Sequence, residues 1–126
     1  MKDLTRQTLL WTLVFVLAVA TFAAPRVWQL GEYVPGPFFT GDAYATMAGG
    51  FIAGLIMGWV GSNNAFGWGA VIGGTHMLLG LGYLALLFGS AAFDPIGIGL
   101  LAMISFLPPL IGAFLGELFR RLPGRG

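Results

Sequence analysis

From Ala43 to Phe93 the chain carries no Asp, Glu, Lys or Arg. Such a stretch cannot cover itself with water-facing side chains. Its apolar runs also reach the ~18 residues at which an uncharged segment reads as a membrane span. Across all 126 residues, 57% are hydrophobic and 9% charged, whereas soluble domains carry about 25% charged residues. Hydrocarbon offers the backbone no hydrogen-bond partners, so runs of this kind span it as α-helices that bond internally. The fold class expected is an all-α integral membrane protein, a single membrane domain over 1–126.

Turn and cap residues divide the chain into four spans. The first covers about 8–27, preceded by Lys2 and Arg6. A basic start, an apolar core and the small residues of Ala20–Ala24 also fit a cleaved signal peptide. Trp28 continues the apolar stretch beyond that point, so a retained anchor is the reading adopted. A loop, Gln29–Asp42, follows. Its Pro35-Gly36-Pro37 removes backbone donors and permits unusual dihedrals, and its Tyr33, Phe38 and Phe39 suit the lipid–water boundary. Asp42 is placed to cap the second span, 43–60. Gly61-Ser62-Asn63-Asn64 makes a short turn into the third span, 66–89, with the asparagines expected to shape the turn and cap the helix. These two spans form a central glycine-rich hairpin. Asp94-Pro95 opens the fourth, 95–119, with a capping acceptor and a proline where a missing N–H costs nothing. Pro108-Pro109 then deprives Ile104 and Ser105 of helical donors and predicts a kink or a break.

Positive charge orients the bundle. With both termini cytoplasmic, Lys2, Arg6, Arg120, Arg121 and Arg125 lie inside, and only Arg26 lies outside. Lys and Arg favour the inner side, so the chain is expected in the cell membrane with N- and C-termini in the cytoplasm. Trp11, Trp59 and Trp68 would line the inner interface, and Trp28 and Tyr33 the outer. Glu117 precedes Arg120 and Arg121 at helical spacing and suits an anchor among headgroups.

Glycine is the second strong signal. At about 100° per residue, Gly50, Gly54, Met57, Gly58 and Gly61 share one face of the second helix. Gly69, Gly73, His76, Gly80 and Tyr83 form a strip on the third, with Gly67, Gly74, Gly82, Ala85 and Gly89 roughly opposite. Small residues let backbones approach closely in lipid. The compact bundle should therefore pack through Gly50, Gly54, Gly58, Gly69, Gly73 and Gly80, with the third helix at its centre. Gly112 and Gly116 add a pair in the fourth.

His76 is the only histidine and the only titratable group expected near mid-membrane. Intramembrane ionisable residues mark function by default, but no Asp or Glu lies nearby in sequence to form a relay, so a neutral imidazole donating across a helix interface is the reading favoured. Ser105, just before the proline pair, is the second candidate polar residue. No metal-ligand spacing, nucleophile–base pair or phosphate loop occurs, and no cysteine is present. An enzyme or a bound cofactor is therefore not expected. A net charge of +1 provides no basic face for nucleic acid.

The stretch Ala48-Gly49-Gly50-Phe51-Ile52-Ala53-Gly54, continued by Gly69-Ala70-Val71-Ile72-Gly73-Gly74, resembles small glycine-rich four-span membrane proteins of unknown function from archaea and bacteria. That resemblance implies a fold and a membrane location, and neither an activity nor site residues. The function expected is that of a non-enzymatic helix-packing accessory module in the lipid bilayer, forming a homo-oligomer or joining a larger membrane complex. The alternative is a small channel or facilitated carrier for a neutral or weakly polar solute.

Overall fold

The computed structural model describes residues 2–29, 41–61, 64–90 and 94–122, without the side chains of 2, 3 and 42. The loop prolines at 35 and 37, the expected aromatic boundary residues at 33, 38 and 39, and Asn63 lie outside the described residues. Four helices follow in order: α1 (Lys2–Val27), α2 (Gly41–Val60), α3 (Ala65–Phe88) and α4 (Pro95–Arg121). Each is long and apolar enough to cross a membrane. The 20 residues of α2 span about 30 Å, the thickness of a hydrocarbon core. The chain is a multi-pass membrane protein whose outer faces suit lipid. Leu78 and Leu86 are among many large apolar side chains left uncovered, as expected where the solvent is hydrocarbon.

The start of α4 follows from Asp94, whose carboxylate accepts from Gly97 N at 3.1 Å, with Pro95 in the first helical position. The other predicted caps differ. Asn64 occupies the N-cap of α3, but its side chain makes no capping bond. Helix α2 begins at Gly41, so Asp42 falls inside the first turn and not at its cap. At the end of α3, Gly89 takes φ +62°, a left-handed conformation that glycine adopts without a Cβ penalty.

The tightest packing joins α2 to α4. A methyl group at Gly54 would collide with the Pro109 carbonyl, and one at Gly58 with that of Ala113. From the other side, Gly112 and Gly116 rest on the carbonyls of Phe51 and Leu55. Two four-residue glycine pairs thus face each other, bringing Cα–H groups onto carbonyl oxygens, a weak attraction available only at this separation. Helix α3 uses Gly69 against Leu110, Gly73 against Phe106 and Gly80 against Leu101. All six glycines expected to pack therefore lie at helix interfaces; Gly50 sits beneath Pro109 and His76.

One expectation needs correction. The third helix is not gripped on both faces: among the described residues Gly82 has nothing within 4 Å, Gly74 only a distant ring atom of Phe106, and Gly67 its own neighbour Asn64. Both α2 and α3 touch every other helix, while α1 and α4 do not touch each other. Of the kink or break expected at its prolines, α4 shows no break and runs without interruption to Arg121. The half of the bundle that holds the start of α1 and the end of α4 is closed by a packed core of Leu10, Val14, Ala18, Ala53, Met57, Trp68 and Ile72. Trp11 meets Trp68 edge-on there at 5.1 Å. At the same end Glu117 holds Arg121 at 3.2 Å and Arg120 at 3.6 Å.

Candidate functional site

The site is assembled by α1 and α3, which run side by side from Trp11 and Trp68 to Phe22 and Tyr83. His76 is 2% exposed. Its Nε2 lies 2.9 Å from the Ala18 carbonyl and 2.9 Å from Thr21 Oγ1. A carbonyl only accepts, so Nε2 carries the proton and donates to Ala18 O. The Thr21 hydroxyl donates to Leu17 O at 2.6 Å and turns a lone pair towards the same imidazole N–H. This cross-helix link needs room on the α2 side. Gly49 supplies it against Thr21, where an added methyl would lie 2.9 Å from Cβ. Gly50 does the same for the ring, at 3.3 Å from Cε1. In a neutral ring protonated on Nε2, Nδ1 keeps its lone pair.

Above this link, α1 contributes Arg26, whose guanidinium turns back along its own helix. It donates to Phe22 O at 2.7 Å and to Thr46 Oγ1 of α2 at 2.9 Å. Its carbon also lies 3.9 Å from the Phe22 ring centroid and 4.9 Å from that of Tyr83. Cation–π contact and hydrogen bonds together fix a charge that would otherwise reach for water. Phe22 lies between the cation and the imidazole, its centroid 6.1 Å from that of His76.

These residues line a cavity of about 360 Å³ to which all four helices contribute. Its walls are largely aromatic and aliphatic, from Phe22, Tyr83, Leu84, Leu101 and Ile104. Arg26 and Thr46 supply polarity near the ends of α1 and α2 that lie outside in the charge-based orientation. His76 and Ser105, both 2% exposed, supply it at the inner end. The lining stops there, at the level where Val14, Ala53, Met57 and Ile72 fill the interior with no exposure at all. The arrangement is an apolar cavity in one half of the bundle with hydrogen-bonding groups at both levels.

Ser105 has a further property set by covalent structure. Its carbonyl would normally accept from residue 109, or from residue 108 in a tighter turn. Both are prolines, which have no N–H. Neither helical donor exists, so this carbonyl needs a partner from elsewhere.

The two polar candidates of the sequence, His76 and Ser105, thus come to one cavity from different helices. Sequence reasoning missed Thr21, Thr46, Phe22 and Arg26. Hydroxyls inside two apolar spans were a usable signal for the threonines, while Arg26 read only as a charge at a span end. Among the described residues, no group of His, Asp and Glu could hold a metal ion. The chain matches no protein-family model, no curated protein and no solved structure.

Proposed function

We propose that this protein is a non-enzymatic membrane carrier that binds a neutral or weakly polar solute in the outer half of the bilayer. The carrying observation is the cavity: about 360 Å³, lined by all four helices, with His76 and Ser105 at its inner end. Volumes of roughly 300–1,000 Å³ with apolar walls and a few convergent polar groups are typical of small-ligand sites. Because the packed inner core closes the shaft below His76, this conformation fits a carrier open to one side better than a channel. Transport then requires α2 and α4, or α3 and α4, to move across their glycine contacts.

The test is solute uptake into vesicles reconstituted with the protein, comparing it with Gly97→Leu. Gly97 lines the cavity, and a Cβ there would meet nothing closer than Asp94 at 3.9 Å. The leucine should fill the shaft without disturbing the helices and abolish uptake. Equal flux in wild type, Gly97→Leu and empty vesicles would retire the carrier reading.

The second reading, an accessory or self-associating module, is favoured by one observation. Gly67, Gly74 and Gly82 form a small-residue face that, among the described residues, meets another helix only at the Phe106 ring edge near Gly74. Most other helical glycines are consumed inside the bundle, so the support is narrower than spacing alone suggested. One copy per lipid nanodisc at all protein-to-lipid ratios, with nothing copurifying, would sink it.

A further inference from the structure

We propose that the cavity takes an uncharged hydrophobe bearing one hydroxyl, an alcohol or a phenol, and seats that hydroxyl at its inner end as a donor to His76 Nδ1. The inference rests on the carrier reading of the same cavity and names its class of solute. At the inner end the chain presents acceptors in excess of donors. The single imidazole proton is committed to Ala18 O, 2.9 Å away, so the other ring nitrogen is a lone pair. The Ser105 carbonyl has lost both helical donors to Pro108 and Pro109.

These acceptors belong to residues at one level of the bundle. Pro109, which displaces the donor to Ser105, and the His76 ring both border Gly50, where a methyl group would lie 3.1 Å from Pro109 Cγ and 3.4 Å from His76 Nδ1. Ser105 and His76 both line the cavity. The Ser105 hydroxyl can in turn donate to the oxygen of an arriving group.

The chemistry of the solute follows by exclusion. A hydrocarbon or an ether leaves the buried acceptors unmet. A carboxylate at the inner end would bring its charge against their lone pairs, with Arg26 held at the opposite end by Phe22 O and Thr46 Oγ1. An ammonium would need an acidic partner, and no Asp or Glu is among the described residues that line the cavity. A hydroxyl donates to Nδ1 and accepts from Ser105. From Gly97 to Ser105 the lining of α4 rises by about 12 Å, enough for a ring with a short chain or a medium-length alkyl group.

The experiment uses the whole chain in lipid nanodiscs, labelled with ¹⁵N-histidine, where the single histidine gives one pair of ring resonances. It is titrated with 4-methylphenol and with 4-methylanisole, at concentrations expressed in the lipid phase. The phenol should bind about tenfold more tightly, the ratio expected when a buried acceptor loses its only donor. It should also shift Nδ1, while the ether binds without moving it. Ser105→Ala should lower the phenol's advantage. Equal affinities with Nδ1 unmoved would overturn the hydroxyl seat and leave the carrier reading standing. Absence of binding by either compound would overturn both.

Discussion

At the scale of single residues, a glycine matters here according to what occupies the place of its missing side chain. At Gly54 and Gly58 that place is taken by backbone carbonyls of α4, which cannot rotate away as a side chain can. At Gly82 it is empty. The same substitution should therefore have opposite standing on neighbouring helices. Gly58→Ala should destabilise the folded bundle by about 1–3 kcal/mol through overpacking, and Gly82→Ala should stay within ~0.5 kcal/mol of wild type. Equilibrium unfolding in mixed micelles measures both, and equal losses would show that the α2–α4 contact is not as close as described. Spacing made the packing glycines legible, because a four-residue repeat specifies a helix face. It could not specify the partner, since a face carries no address. The pairing of Gly54 and Gly58 with Gly112 and Gly116 appeared only when the helices were assembled. Arg26 was illegible for a related reason: its inward turn depends on Tyr83 and Thr46, which come from other helices.

At the scale of elements, the ends of α2, α3 and α4 lie within two residues of the expected span ends, since lipid demands uninterrupted apolar length and the loops are marked by glycine, proline and asparagine. The clearest difference is at the start of α1, which begins at Lys2 and not near Thr8. Charged and polar residues there do not end a helix once it leaves the hydrocarbon. The proline pair in α4 shows what spacing could and could not decide. Loss of two donors was certain from the residue types; whether the helix would break was not. It continues because the buried Pro109 packs against α2 and its neighbours, which supplies the stabilisation the missing bonds withhold. The Ser105 carbonyl should then behave as a weakly bonded amide within a long helix. Isotope-edited infrared spectroscopy of protein labelled at the Ser105 carbonyl should place its amide band above those of its helical neighbours in ligand-free protein. Pro109→Ala restores the N–H and should bring the band down to theirs. Coincident bands in the wild type would mean that another donor already satisfies the group.

At the scale of the whole molecule, the asymmetry of the bundle makes its orientation a functional matter. One half is a sealed core of Val14, Ala53, Met57 and Ile72, and the other holds the shaft from Arg26 to His76. On the carrier reading, whichever side the shaft faces is the side from which a solute enters. Five Lys and Arg residues near the chain ends, against Arg26 alone near the opposite end, favour cytoplasmic termini, which turns the shaft outward. Because the natural chain has no cysteine, single cysteines can report this directly. Gln29→Cys, just beyond the end of α1 and exposed, should react with a membrane-impermeant maleimide in intact cells. Leu122→Cys, just beyond the exposed end of α4, should react only after the membrane is opened. The reverse pattern would turn the cavity towards the cytoplasm and make the protein an acceptor of solutes from inside, with the same groups awaiting them. Labelling of both sites in intact cells would be the more damaging result, because an even number of spans requires the ends of α1 and α4 to lie on opposite sides. The four-helix count and the one-sided cavity therefore stand or fall on the same pair of reactions.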